Sequence, residues 1–163
     1  MKIRLPVVVI LLLIPTLVLA LDGMVVKVKD GDTVVIAPDG GGAFFVCRLY
    51  GIDAPERSGQ SYGEEATLAL KRMILGELVD VETTGAKTYN REVCKLRRKR
   101  DRLDVNLTMV TQGHAWAYRK YLKRPYASEY IEAEEGARKN KQGLWHDTNP
   151  TPPWEFRAMK RRH

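Results

Sequence analysis

Residues 30 to 56, DGDTVVIAPDGGGAFFVCRLYGIDAPE, place four aspartates, one glutamate and one arginine among strand-like apolar stretches. Strands usually exclude aspartate, so these acids call for a reason. Asp30 and Asp32 flank Gly31 between two apolar runs, and Asp53 and Glu56 sit just past a third. Pro55 favours an extended or turned backbone at Ala54. Taken singly, Asp-Gly-Asp-Thr is a turn and Asp-Ala-Pro-Glu a loop. Taken together, with one strand between them, they predict two acid pairs at the ends of adjacent strands. Clustered carboxylates repel and raise one another's pKa, and a hard cation relieves the repulsion. Oxygen donors with no His or Cys beside them favour Ca²⁺ or Mg²⁺ over Zn²⁺.

Arg48 lies inside the third apolar run, five residues before Asp53. It can serve as the ion-pair partner of an acid, or its planar fork can grip a phosphate. Arg91, after Lys-Thr-Tyr-Asn, is placed to reach the same face. Two arginines, a metal and a carboxylate base are the parts needed to cleave a phosphodiester. The cations neutralise developing charge, and the carboxylate takes a proton from water.

The elements that must hold these residues follow from periodicity. Residues 24 to 30 alternate Val26 and Val28 against Lys27 and Lys29, a strand period. Residues 33 to 38 and 43 to 52 are further strands, joined by the glycine turn at 38 to 42, and their close spacing predicts an antiparallel meander. Ser61 and Glu64 have capping-box spacing ahead of a helix that Gly76 can close. Residues 78 to 84 and 91 to 97 are the fourth and fifth strands. Asp104 can cap a short helix with Leu107 and Val110 inward, ended by Gly113. A last helix spans about 126 to 142, with Tyr130, Ala133 and Ala137 on one face. The expectation is a β-rich α+β domain, a five-stranded OB-type barrel with three helices. Residues 148 to 163 read as a Pro-rich, then basic, mobile tail.

Residues 1 to 20 read as a signal peptide: Lys2 and Arg4, an apolar stretch from Leu5 to Leu19, and a small-residue cleavage site at Val18-Leu19-Ala20. The apolar stretch is shorter than the roughly 20 residues a span needs. Loss of Lys2 and Arg4, with no acid in residues 1 to 20, takes the net charge from +7 to +5. The sequence pI is about 9.5. A basic exported domain of residues 21 to 147 suits a polyanionic partner, or simply solubility. Cys47 and Cys94 lack CxxC spacing, which argues against zinc. Pairing and two buried thiols remain equally open on spacing alone.

DGDTV, RLYGIDAPE, YNR, LTMVTQGHAWAY and GLW stand in the order of the staphylococcal nuclease family, and the likeness runs over about residues 24 to 145. The chain resembles an exported bacterial member. That resemblance implies a five-stranded OB barrel with three helices and a Ca²⁺-dependent nuclease that cuts DNA and RNA, prefers single strands and leaves 3′-phosphate ends. It implies Asp32, Asp53 and the carbonyl of Ala54 as calcium ligands and Glu56 as the general base. Arg48 would hold the phosphate in the transition state, and Arg91 would act from the leaving-group side. Tyr89, Tyr118 and Tyr121 would contact nucleic acid. Tyr118 and Tyr121 interleave with Arg119, Lys120, Lys123 and Arg124, a pattern that stacks bases and tracks phosphates. In the family barrel the strands of Cys47 and Cys94 are neighbours, which favours a disulfide. The implied setting is a monomer, periplasmic or secreted, without stable membrane association.

The family pattern before the second arginine is Asp-x-Tyr-Gly-Arg, whereas this chain has Lys87 and Asn90 in place of the acid and glycine. Asn90 is expected to supply the positive φ of the turn. Loss of the acid puts the aim of Arg91 in question. Arg97, Arg98, Lys99, Arg100 and Arg102 read as a solvated hairpin tip. Two other classes compete: an inactive nucleic-acid-binding module on the same barrel, and a glycan-binding OB domain. Neither gives the acid cluster a purpose.

Overall fold

A computed structural model describes residues 21 to 162; the signal-peptide reading of residues 1 to 20 lies outside them. Strands β1 (Leu21–Asp30), β2 (Thr33–Pro38) and β3 (Phe45–Leu49) form the expected antiparallel meander. β4 (Ile52–Asp53) follows, then α1 (Gly63–Ile74), β5 (Leu78–Thr88), β6 (Arg91–Arg98), α2 (Val105–Thr111) and β7 (Trp116–Ala117). The chain ends with α3 (Ala127–Lys139), a 3₁₀ turn (Gly143–His146) and α4 (Pro153–Lys160). The barrel closes in the order β1-β2-β3-β6-β5, with β3 and β6 parallel. The expected five-stranded α+β barrel is therefore present, with a fourth helix besides the expected three.

β1 reaches across the barrel because it carries two bulges. Val25 pairs with Ile36 and Lys27 with Val35, so Val26 is the extra residue and turns outward. Val25 and Val28 are buried; Val26 is exposed. The strict alternation expected from residue 24 onward thus slips by one. Bulges of this kind bend and twist a strand enough to pair with β2 on one side and β5 on the other.

Inside the barrel, Val34, Ile36, Leu49, Val79, Val81 and Leu96 pack against Leu70 and Ile74 of α1 and Met109 and Val110 of α2. Cys47 and Cys94, also interior, form a disulfide between the parallel strands. A cross-link over a 47-residue separation removes unfolded-state entropy, about 3 to 4 kcal/mol by the chain-entropy estimate.

The start of α1 departs from the sequence reading, while its end closes at Gly76, φ +79°, as expected. Tyr62, in the left-handed region at φ 66°, precedes the helix, and no side chain caps it; the Ser61–Glu64 box does not form. Glu64 instead pairs with Arg57. Asp104 does cap α2, accepting the Leu107 N–H at 3.0 Å. α3 is shorter than expected, and buries Tyr130 and Ala137.

Candidate active site

Everything at the site follows from how β2, β3 and β4 meet. Thr33 pairs with Arg48, and Leu49 donates its N–H to the Asp32 carbonyl at 2.8 Å. Asp32 therefore enters β2 where Arg48 leaves β3. The single strand expected over 43 to 52 breaks at Tyr50-Gly51. Gly51 has φ +75°, which calls for glycine, and a Cβ there would also push Leu122 Cδ2, 2.6 Å away, aside. The turn starts β4, whose Asp53 pairs with Trp116 of β7.

Two buried polar side chains hold this turn. Asn106 of α2 donates to the carbonyls of Tyr50 (3.0 Å) and Cys94 (3.1 Å) and accepts from Leu96 N (3.0 Å). Glu134 of α3 accepts from Ala117 N at 3.2 Å and from Arg119 at 2.8 Å, which fixes β7 beneath Asp53. Both are fully buried. The sequence reading used neither; each looks like an ordinary polar residue on a helix.

Arg48 joins the two strand ends. Its Nη1 donates to Asp32 Oδ1, and its Nη2 to Asp53 Oδ1 at 2.7 Å. Asp32 Oδ1 also accepts from Thr33 Oγ1 at 2.9 Å, and Oδ2 from Ala54 N at 3.1 Å. The backbone of Ala54 thus lies against Asp32. Asp30 Oδ1 accepts the Asp32 N–H at 3.1 Å. Glu56 N donates to Gln60 Oε1 at 2.9 Å. The Glu56 carbonyl also abuts Gly63, where any Cβ would sit at 2.0 Å, so the start of α1 clamps the Glu56 loop.

A residue absent from the sequence reading completes the cluster. Arg157 of α4 donates through Nη2 to Asp53 Oδ2 (2.7 Å) and through Nη1 to Asp53 Oδ1 (3.2 Å) and Glu56 Oε1 (2.7 Å). The segment expected to be a mobile tail instead folds back. Pro152 and Pro153 start α4, proline suiting a first helical position. Trp154 stacks flat on Tyr118, with centroids 5.4 Å apart and planes 1° from parallel. The signal was there in Pro-Pro-Trp followed by Phe156 and Arg157 at helical spacing, but composition outweighed it.

Four acids thus surround two arginines. Burial, then the charge of Asp32, push the Asp30 carboxyl up to about 7. Burial also raises Asp53, although the hydrogen bond from Arg157 and the charge of Arg48 oppose it. Burial would lower Arg48, yet Asp32 and Asp53 raise it above the ordinary arginine value. The centre has more carboxylate than its own cations neutralise. Its donors are all oxygen, which suits a hard divalent ion. Among the described residues no group of three or more His, Cys, Asp or Glu is placed to hold a metal ion. Asp32 and Asp53, beside the Ala54 backbone, supply two carboxylates, so a cation here would take its remaining oxygens from backbone carbonyls, water or substrate.

Asp32, Arg48, Asp53, Ala54 and Glu56 therefore come together as the sequence suggested. Arg91 makes no hydrogen bond to this cluster; its Nε reaches Thr88 O at 3.4 Å. It does share the cluster's side of the sheet: Arg48 pairs with Val93, and Arg91 lies two residues before Val93 on the same face. The altered turn before it is held by other means. Lys87, where the acid was expected, pairs with Glu92 across the hairpin at 2.8 Å. Tyr89, not Asn90, takes the positive φ, at 56°. Tyr89 is 92% exposed and touches no part of the cluster by hydrogen bond. Tyr118 meets Tyr121 edge-on at 4.8 Å, one aromatic layer with Trp154. His114 accepts or donates at Tyr62 OH (3.1 Å), and Trp116 and Trp145 are buried, in line with structural roles.

The basic stretch from Arg97 to Arg102 is solvated as expected except at Arg98, and from Arg98 to Arg102 its charges are paired. Arg98 is buried, bonded to the Met73 carbonyl (2.6 Å) and to Asp101. Lys99 pairs with Asp22, Arg100 with Glu77 (3.0 Å) and Arg102 with Asp80.

Comparison with known proteins agrees with this geometry. The family model described as Staphylococcal nuclease homologue matches residues 46–147. An uncharacterized endonuclease of Haemophilus influenzae is 35% identical over 84% of this chain and 73% of its own length. An uncharacterized endonuclease of Escherichia coli O157:H7 is 37% identical over 90% of this chain and 91% of its own. A micrococcal nuclease of Shigella flexneri is 33% identical over 85% and 82%.

Proposed function

The chain belongs to the staphylococcal nuclease family, a nuclease by that kinship, and on this premise we propose that it is a calcium-dependent phosphodiesterase. It hydrolyses DNA and RNA, single strands preferentially, by attack of water, and leaves 3′-phosphate ends. The observation that carries the reading is the convergence of Asp32, Arg48, Asp53 and Glu56 at one end of β2, β3 and β4. A binding module has no use for buried carboxylates gathered beside an arginine.

Asp32, Asp53 and the Ala54 carbonyl would hold the ion. Bound calcium supplies charge that polarises the attacking water and screens the phosphate. Glu56, on the more open side of the cluster, accepts the water proton. Arg48 uses Nη1 and Nη2 for Asp32 and Asp53. A guanidinium has five N–H donors, so others remain for a phosphate oxygen. Arg91, on the same face, neutralises the leaving oxygen. Tyr118 and Tyr121 stack the flanking bases. The Cys47–Cys94 bridge supports an exported setting, periplasmic or extracellular, for a monomer that needs no membrane.

The test is digestion of single-stranded DNA and of RNA by the purified protein, with calcium and with a chelator, beside Glu56→Gln. Cleavage that needs calcium, leaves 3′-phosphates and falls by about 10²-fold or more in the variant upholds the reading. Nucleic acid bound but never cut would replace it with the binding-module reading.

A further inference from the structure

Arg157 occupies the carboxylates that a cation and a water would use, and Lys160 of the same helix reaches the Ser58 carbonyl of the Glu56 loop. We propose that α4 is an autoinhibitory latch: Arg157 holds Asp53 and Glu56 in place of a divalent cation while Trp154 covers Tyr118, so that cation binding and latch closure exclude one another. The inference rests on the calcium reading of the site.

Three observations carry it. The first is occupancy. Both Asp53 oxygens and Glu56 Oε1 accept from Arg157. A cation at Asp53 would compete for the same lone pairs and would repel the guanidinium. The second is mimicry. The indole of Trp154 lies parallel on the Tyr118 ring, as a stacked base would. Arg157 and Trp154 are three residues apart on one helix, hence on one face. One short element therefore fills the cation position and the base position together.

The third is weak attachment. α4 has eight residues, and of these only Pro153 is fully buried; Trp154 is half-buried against Trp116 and Tyr118. Its hydrogen bonds to the Glu56 loop are few. Gln60 Nε2 donates to Thr151 O at 2.8 Å while Gln60 Oε1 takes the Glu56 N–H, and Lys160 reaches Ser58 O at 3.4 Å. A short helix of mostly half-buried or exposed side chains, none of them in the barrel core, can open while the barrel stays folded. Gln60 links the base-bearing loop to the segment leading into α4, so movement of one is felt by the other.

Calcium titration by calorimetry of the full chain tests the latch, with Arg157→Gln, Arg157→Lys and Arg161→Gln beside it. A latch closed about nine-tenths of the time weakens apparent calcium binding about tenfold, so Arg157→Gln should bind about tenfold more tightly. Lysine keeps the charge but lacks the fork that bridges two carboxylates, so Arg157→Lys should bind nearly as tightly. Arg161→Gln removes a charge from the same region without touching the cluster, and should leave affinity within about twofold. Amide hydrogen exchange of the unmodified protein gives a readout that needs no variant: saturating calcium should speed exchange in α4. Equal calcium affinity in all four proteins, or α4 protection unchanged by calcium, overturns the latch and leaves the calcium site standing. No calcium binding in any of the four overturns the calcium reading and the latch with it.

Discussion

Two clusters of charge, each with four acids, sit on this barrel, and they are built in opposite ways. Around Arg48 stand Asp30, Asp32, Asp53 and Glu56, with only Arg157 as a second cation. Around Lys99 stand Asp22, Glu77, Asp80 and Asp101, with Arg98, Arg100 and Arg102 beside it. The second network is balanced and mostly solvated. The first is short of positive charge, and Asp32 and Asp53 are buried. Exposed pairs each contribute about 0 to 1 kcal/mol, because water already solvates both partners. Buried carboxylates have lost that water, so they need a cation or a proton. Imbalance under burial, rather than the number of charges, marks the site.

Breaking the first network should therefore have the larger consequence. Arg48→Lys leaves one ammonium where a fork bridged Asp32 and Asp53. Cleavage should fall about 10³-fold or more, as when a transition-state arginine is lost from other phosphoryl-transfer sites. Arg102→Lys, in the second network, should cleave at the unmodified rate. Equal rates for the two variants would erase the distinction between the networks. A smaller effect is expected one layer below the site. Asn106→Ala removes the amide bonded to Leu96 N and to the Tyr50 carbonyl, while the Cys94 carbonyl keeps its bond from Tyr50 N at 2.8 Å. About 2 to 3 kcal/mol of stability should be lost, read by denaturant unfolding. If the Tyr50 turn aims Asp53 and the proposed calcium site is there, calcium affinity should fall with it.

How much of this was legible in the sequence differs between the same two regions. Taken together, Asp30, Asp32, Asp53 and Glu56 pointed to a site by type and spacing, whereas Arg48 alone fitted an ion pair as well as a phosphate, and the individual roles came from the family resemblance. The partners of Lys99 were illegible. Asp22 and Asp80 are far from it in the chain, and only barrel closure through β1 and β5 brings them near. The same limit hid Arg157, whose contacts with Asp53 span more than a hundred residues. Local rules failed where tertiary contacts outweighed them. The bulge at Val26 shifted an evident alternation, and Tyr62 rather than Ser61 came to precede α1 because the Glu56 loop crowds Gly63. Tyr89 adopted the positive φ that Asn90 suits better, in a hairpin tightened by Lys87 and Glu92.

The second network should respond to removal only weakly. Asp80 accepts from Arg102 and lies 3.7 Å from Lys99. Asp80→Asn should cost no more than about 1 kcal/mol at low salt, and less at high salt, where screening already weakens such pairs. Unfolding measured at two ionic strengths reads this directly. A loss of several kcal/mol, unchanged by salt, would mean that the exposed network bears weight as the buried one does.

The finest contrast lies in acid. The hydrogen bonds from Arg98 hold the Asp101 carboxyl down at about 2, below its ordinary 3.8. A carboxyl lowered by folding binds its proton more weakly in the folded state than in the unfolded one. Its contribution to stability is therefore complete above the ordinary value and disappears as pH falls toward about 2. Asp101→Asn should then unfold at a slightly lower temperature than the unmodified protein at neutral pH, and the gap should close across that window. Asp53 is raised by burial instead, so its sign is opposite: the folded state holds the proton more tightly, and ionising Asp53 as pH rises opposes folding. The neutral variant Asp53→Asn should therefore lose least, relative to the unmodified protein, at high pH, while Asp101→Asn loses most there. Two thermal unfolding series against pH that slope the same way would show that burial and imbalance do not set the two networks apart.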